Sequence, residues 1–163
     1  VAMLFVIMAS ALQRMYLYQQ EYGLTELRLY TTAFMGWMAL LFAWFLVTVL
    51  RGQRERFALG ALVSGLFVLA VLHLINPDAL IVRTNVAHWE SSGRFDAAYA
   101  ASLSPDAHPT LVEALPQLSP VDREQVRADL QLRLEHHRQD WRSWNWGHSR
   151  SLQALKTLSQ ETR

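Results

Sequence analysis

An uncharged apolar run of 22 residues, positions 29–50, is the feature that most constrains the fold of this chain. As an α-helix it would be roughly 33 Å long, at about 1.5 Å per residue, and the hydrocarbon core of a bilayer is about 30 Å thick. A second apolar run, residues 57–75, follows after a short polar loop. The two runs predict membrane-spanning helices at 29–50 and 57–75.

The sequence divides into an apolar half and a water-compatible half. Residues 1–13 are apolar but too short to cross a bilayer, so they predict the last part of an earlier span in a longer, polytopic protein. Residues 1–75 are therefore interpreted as a transmembrane region. Residues 76–163 carry ten basic and eleven acidic side chains and show no strand alternation, which predicts a small all-α domain.

Start and stop signals divide that second half into helices. Asn76-Pro77-Asp78 resembles a helix start, and the helix that follows is expected to run to about Trp89, before Ser91-Ser92-Gly93. Its apolar stripe suits either the membrane surface or packing on the domain after it. Further helices are predicted at 94–103, 105–115, 120–139 and 143–158.

The charges predict an orientation and exclude one class of partner. One short loop contains Arg51, Arg54 and Arg56. By the positive-inside rule this loop is predicted on the cytoplasmic side and the 76–163 domain on the extracytoplasmic side. The basic residues are scattered and the net charge is +1, so nucleic acid is not expected as a partner. The chain has no cysteine, which excludes disulfides and thiolate metal sites.

Four blocks, in this order, carry a resemblance to a known family. They are Arg14-x-x-x-Tyr18-x-x-x-Tyr22-Gly23-Leu24-Thr25-x-x-Arg28, Asn76-Pro77-Asp78, Ser102-Leu103-Ser104-Pro105-Asp106-Ala107 and Asp140-Trp141-Arg142-Ser143-Trp144-Asn145. The chain resembles the C-terminal part of the bacterial polytopic membrane family catalogued as domain of unknown function 4173. The resemblance implies a bacterial membrane protein with further helices upstream, but no reaction. Together with the arginine-rich loop, it predicts a bacterial inner-membrane location with the 76–163 domain in the periplasm.

A tyrosine-rich segment joins the first two apolar stretches. Arg14, Tyr18 and Tyr22 would share one face of a helix that continues past Arg14, and Arg28 follows shortly after. They suit either a pocket for an anionic lipid headgroup or substrate, or simple anchoring at the interface through backbone carbonyls and neighbouring acids. The second interpretation is preferred. Gly23 is expected to end this helix and Thr25 to begin the next.

Small residues on the third span predict close helix packing. Gly60 and Ser64, with Ala61 and Gly65 beside them, form overlapping small-xxx-small patterns that let another helix approach. Ala39 and Ala43 offer a matching smooth strip on the second span.

His73 stands near the end of the third span. An ionisable group at membrane depth suggests a proton relay or an axial ligand for a tetrapyrrole, whereas a hydrogen-bonded interfacial histidine is the simpler interpretation. No cofactor is expected, although a bound pigment or lipid is left open.

A tryptophan-rich segment near the C-terminus is the last candidate. Asp140 and Arg142 lie among three tryptophans, Trp141, Trp144 and Trp146. This pattern is typical of a segment that binds a partner or anchors the chain at an interface. A metal site at residues 135–140 is not expected, because the HExxH spacing is absent and no third ligand is placed.

Three functions remain open at this point. The preferred one is a non-enzymatic membrane subunit, a scaffold or accessory component of a larger membrane complex, for example an energy-converting complex of the photosynthetic or respiratory kind, with the bilayer and other transmembrane subunits as partners. The alternative is a transporter or membrane sensor whose site lies in upstream helices. A membrane-bound enzyme has the least support, because no catalytic triad or nucleophile motif is present.

Overall fold

The computed structural model describes residues 2–53, 55–136 and 149–155, which are helical apart from turns and short connections and contain no strand. The prediction of an all-α protein is confirmed for this part of the chain. The chain forms two compact units, Val1–Pro77 and Asp78–Arg163. Each unit has its own helix packing.

The first unit holds three helices, α1 (Ala2–Tyr22), α2 (Glu26–Leu50) and α3 (Glu55–Ile75). The central helix α2 packs against both α1 and α3. By length and composition, α2 and α3 are each able to cross a membrane, and only 6% and 0% of their most apolar stretches are buried. A core helix of a water-soluble protein would be mostly covered, so these two helices suggest that the protein associates with a membrane.

The first helix is longer than the apolar stretch that predicted it. It continues past Gln13 and Arg14 to Tyr22, because the chain meets no glycine or proline before Gly23. Gly23 has a positive φ of 72°, as expected for the residue that closes a helix. Thr25 then occupies the N-cap position of α2, although its side chain makes no capping hydrogen bond. The predicted boundary between the two helices is confirmed.

A tight turn ends α2. The amide of Gly52 donates to Val49 O and that of Gln53 donates to Thr48 O, while Gly52 adopts a φ of 67°. Arg51 is exposed after the last helical turn and Arg56 is exposed in the first turn of α3, whereas Arg54 lies outside the described residues. The turn is short enough to bring α2 and α3 together as antiparallel neighbours.

The second unit contains shorter helices. They are α4 (Pro77–Ser92), α5 (Ala97–Ser102), α6 (His108–Ala114) and α7 (Pro120–His136), with 3-10 turns at Pro105–Ala107 and Leu115–Gln117. Residues 149–155 form a further helical segment. The helix predicted at 94–103 is shorter than expected, because Asp96 accepts from the amide of Tyr99 and caps α5 there.

The core of the second unit is built from aliphatic and small side chains. Ile81 and Val82 of α4 are completely buried, and so are Leu111 of α6 and Val126 and Leu130 of α7. Since α4 contributes to this core, the structure favours packing on its own domain over the membrane-surface alternative. The alanines of α5, Ala97, Ala100 and Ala101, are buried, and α5 packs closely against α7.

Polar contacts connect distant parts of the second unit. Ser104 donates to Asp78 Oδ2 and so joins the 3-10 turn before α6 to the start of α4. His108 Nδ1 lies 2.7 Å from Ser151 Oγ, which attaches the segment 149–155 to α6. Ser119 accepts from the amide of Asp122 and donates to its carboxylate, which caps the start of α7.

Candidate helix-packing site

The surface of α3 that faces α2 is a stripe of small and aliphatic side chains. Its half-buried positions recur every three or four residues, as expected for one face of a helix. They are Phe57, Gly60, Ala61, Ser64, Gly65, Val68, Val71 and Leu72. The other positions on α3 are exposed. The stripe thus defines which side of α3 is committed to packing within the chain.

At one end of this stripe, the indole of Trp44 lies over Gly60. A Cβ atom placed on Gly60 would stand only 2.0 Å from Trp44 Nε1 and 2.5 Å from Trp44 Cε2. Contacts that short are impossible, so only glycine accepts this ring position. The aromatic side chain fills the space that a side chain at Gly60 would otherwise occupy.

A second indole repeats the arrangement further along. Trp37 Nε1 donates a 3.2 Å hydrogen bond to Ser64 Oγ, and a Cβ on Gly65 would meet Trp37 Cζ2 at 3.4 Å, an ordinary contact. The Ser64 hydroxyl in turn donates to Ala61 O in its own helix. These two hydrogen bonds give both the Trp37 indole N–H and the Ser64 hydroxyl a partner within the protein.

The predicted small-residue face is therefore occupied by α2 of the same chain. Ala61 is half-buried in the stripe, together with Gly60, Ser64 and Gly65. Of the strip predicted on α2, Ala39 is half-buried and Ala43 is exposed. The close contacts with α3 are made by the indoles of Trp37 and Trp44. The signal that would have found them is the seven-residue spacing of Trp37 and Trp44, which puts both on one helix face.

The chemistry of this site is that of packing. Two tryptophans, one serine and two glycines carry no charge, and the interhelical hydrogen bond fixes the register of α2 against α3. Phe45 and Phe57 extend the contact toward the turn, with an edge-to-face geometry and ring centroids 5.4 Å apart.

A polar contact joins the other side of α2 to α1. Gln19 Nε2 donates to Thr32 Oγ1 over 3.1 Å, and the Thr32 hydroxyl donates to Arg28 O within α2. The sequence does not reveal this pair, because a single glutamine and a single threonine carry no distinctive spacing. With it, α2 has a specific polar link on each side.

The aromatic corner between α1 and α2 brings together three of the four predicted interface residues. Tyr18 and Tyr22 stack with centroids 5.8 Å apart, and the Arg28 guanidinium lies 5.7 Å from the centre of the Tyr22 ring. Arg28 also donates to Gly23 O over 2.7 Å. Arg14 is exposed one helical turn before Tyr18. Because Arg28 binds the carbonyl of the residue that ends α1, the geometry favours an anchoring role.

The remaining candidates are separate from these contacts. His73 is exposed in the last turn of α3, where a basic group lies near the negative end of the helix dipole. The tryptophan-rich anchor lies outside the described residues, with Asp140, Trp141, Arg142, Trp144 and Trp146.

The pair formed by His108 and Ser151 has the distance expected of a nucleophile and its base, but both side chains are buried, with 5% and 3% of their surface exposed. A buried pair of this kind offers no space for a substrate, so we assign it a structural role. Among the described residues, no group of three or more histidine or acidic side chains is arranged to hold a metal ion.

Comparison with known proteins places the chain in a family without a known activity. No curated protein matches the chain, and no solved structure matches it. Residues 1–114 match the family described as Domain of unknown function (DUF4153). The prediction of an uncharacterised family is confirmed, but the family that matches is not the one numbered 4173. Since the matched residues make up most of its length, the chain belongs to the family Domain of unknown function (DUF4153).

Proposed function

We propose that this chain is a non-enzymatic, multi-pass subunit of a bacterial inner-membrane assembly. In this proposal α2 and α3 cross the bilayer as a pair, the turn between them is cytoplasmic, and the unit that begins at Asp78 folds on the periplasmic side. Its role is that of a scaffold or accessory component, which holds other membrane subunits or presents its soluble unit to them.

One observation supports this proposal above all: α3 is specifically packed on one side and exposed on the other. Leu59, Leu62, Leu66 and Phe67 are each more than half exposed, although they are large and apolar. Burying one such side chain stabilises a protein by about 1.5–3 kcal/mol relative to exposure in water. A surface of this kind is suited to lipid or to the helix of a partner.

The packing site supports a scaffold rather than a site of chemistry. The small-residue face is covered within the chain by Trp37 and Trp44, so it holds α2 and α3 in a fixed pair. A fixed pair presents a constant outer surface, which suits a structural subunit. Partner subunits are then expected on the outer face of α3 and not at Gly60 and Ser64, where the sequence alone would have placed them.

The arginines of the turn support the proposed orientation. Arg51 and Arg56 are exposed on either side of a turn that α2 closes tightly, so their charges stand directly at the helix ends. Basic residues close to the ends of spans are retained on the cytoplasmic side. Only α3 lies between this turn and the second unit, so a single crossing by α3 carries the chain from a cytoplasmic turn to the periplasmic side.

The experiment that tests this proposal is site-specific crosslinking in native membranes. A photoreactive amino acid at Phe67, on the outer face, is expected to crosslink a discrete second polypeptide, whereas the same group at Val68, on the face toward α2, is expected to give only intrachain products. Extraction at alkaline pH should leave the chain in the membrane fraction. Release into the soluble fraction, or equal crosslinking from the two positions, would contradict the proposal.

A further inference from the structure

The second unit contains a cleft between α4 and the helical turns that begin with α6. Its volume is about 210 Å³, and each wall contributes side chains at helical spacing. The lining includes Arg83 and Val86 from α4 and Thr110, Glu113, Ala114 and Gln117 from the opposite wall. All of these residues belong to the same compact unit.

The cleft has an apolar floor and polar walls. Val86 and Ala114 are buried, with 5% and 7% of their surface exposed, whereas Arg83, Glu113 and Gln117 are exposed. Sites for small molecules commonly combine an apolar base with a few polar groups that fix orientation. The cleft is smaller than the usual range of about 300–1,000 Å³, so it suits a compact ligand.

Two opposite charges face this space and do not neutralise each other. Within the part of the chain that the structure describes, neither Arg83 nor Glu113 forms an ion pair. An arginine and a glutamate that are adjacent readily form a salt bridge. Because Arg83 and Glu113 do not, the cleft keeps one positive and one negative group for a ligand. Thr110 and Gln117 add a hydroxyl and an amide, which both donate and accept hydrogen bonds.

We propose that this cleft binds a small zwitterion that carries an oxyanion at one end and an ammonium group at the other. Arg83 binds the phosphate or carboxylate, because its planar guanidinium donates two parallel hydrogen bonds to such groups. Glu113 binds the ammonium. A simple anion would be repelled by Glu113 and a simple cation by Arg83, so the pair selects a ligand with both charges.

The ligand chemistry has two sources, a free solute or the ethanolamine headgroup of a membrane phospholipid. Glycerophosphoethanolamine serves as the probe for both, because it has the phosphate and the ammonium without the acyl chains. Glycerol 3-phosphate and ethanolamine each retain one of the two charges. The probes are titrated calorimetrically into the full chain in an uncharged detergent.

Two substitutions separate the two ends of the ligand. Arg83→Gln is expected to weaken the binding of glycerophosphoethanolamine and of glycerol 3-phosphate about tenfold each. Glu113→Gln is expected to weaken glycerophosphoethanolamine by a similar factor and to strengthen glycerol 3-phosphate, because the repelling carboxylate is gone. Arg94→Gln and Glu124→Gln remove exposed charges of the same unit outside the cleft and are the matched controls. All four positions are exposed, so the variants are expected to fold, and far-UV circular dichroism verifies this.

Reconstitution distinguishes the sources. If the headgroup of a lipid reaches the cleft, discs of phosphatidylethanolamine should weaken the binding of added glycerophosphoethanolamine relative to discs of phosphatidylcholine, and equal affinity in the two discs identifies a free solute. The proposal is overturned if glycerophosphoethanolamine shows no saturable binding up to about 10 mM, or if its binding is the same in wild type, Arg83→Gln and Glu113→Gln.

Discussion

Trp37 of α2 donates its indole N–H to the hydroxyl of Ser64 in α3, over 3.2 Å. The same hydroxyl donates to Ala61 O, so one serine connects two helices and satisfies its own hydrogen-bonding groups. In hydrocarbon, the indole would otherwise keep an unsatisfied donor. The bond therefore contributes to register as well as to stability.

The first prediction concerns this bond. Ser64→Ala and Trp37→Phe are each expected to weaken the α2–α3 contact, and the coupling in a double-mutant cycle is expected to be about 0.6 kcal/mol, with an upper limit of about 1.7 kcal/mol. Unfolding in mixed micelles measures it. Thr31→Ala is the control, because the Thr31 hydroxyl donates to Leu27 O within its own helix. Strictly additive effects of the two substitutions would contradict a direct bond.

The second prediction compares a glycine of α2 with a glycine of α3. Gly60→Ala is expected to destabilise the helix pair by about 1–3 kcal/mol, because the new Cβ would collide with the Trp44 indole. Gly36→Ala meets no atom within 4 Å and is expected to be neutral or to stabilise by up to about 1 kcal/mol through helix propensity. Thermal unfolding of the two variants in the same detergent makes the comparison.

A rescue variant tests the cause of the Gly60 effect. If the collision with the indole is responsible, combining Gly60→Ala with Trp44→Leu should recover much of the lost stability, since the smaller side chain leaves space for the Cβ. The fluorescence of Trp44 should also change in Gly60→Ala. Equal stability of Gly60→Ala and Gly36→Ala would show that the close approach does not exist.

These two predictions also show how far the sequence alone leads. The length of the apolar runs and the breaks at Gly23 and at Ser91-Ser92-Gly93 predict where the first helices begin and end, because both signals are local. The sequence does not identify Trp44 as the partner of Gly60, because a small residue indicates that another helix packs closely but not which side chain makes the contact. The same limit applies to Gln19 and Thr32, whose contact exists only after the helices have packed.

The second unit illustrates the complementary limit. Proline and serine signals predicted its helices, but Asp96 shortened one of them by capping it two residues after the expected start. The cleft was not predicted at all, because Arg83 and Glu113 are 30 positions apart in sequence and each resembles an ordinary solvated charge. Only the packing of α4 beside α6 brings their side chains to one space.

The third prediction concerns Arg123 of α7, whose guanidinium donates hydrogen bonds to three backbone carbonyl groups in the segment that precedes this helix. Its Nε donates to Leu115 O over 2.9 Å, and its Nη2 donates to Pro116 O over 3.0 Å and to Leu118 O over 3.3 Å. Arg123→Gln is expected to destabilise this region by about 1.5–3 kcal/mol, the usual range for hydrogen bonds to a charged group.

Hydrogen exchange with mass spectrometry locates the effect of Arg123→Gln. Amides of residues 115–126 should exchange faster, while those of α2 and α3 should be unchanged. Arg94→Gln, at an exposed side chain, is expected to leave both regions unaltered. Faster exchange throughout the chain would show that the arginine stabilises the protein globally and not this connection.

The last prediction tests the orientation in the membrane. The chain has no cysteine, so a single introduced cysteine is a unique reporter. Gln53→Cys in the turn after α2 and Ala128→Cys on α7 both place the thiol at exposed positions. In intact spheroplasts, a membrane-impermeant maleimide should label Ala128→Cys, whereas Gln53→Cys should react only after lysis, because the arginines retain the turn in the cytoplasm. Phe67→Cys is the control for a thiol at membrane depth and should react poorly in both preparations. The reverse labelling pattern for Gln53→Cys and Ala128→Cys would place the second unit in the cytoplasm and would contradict the proposed periplasmic location.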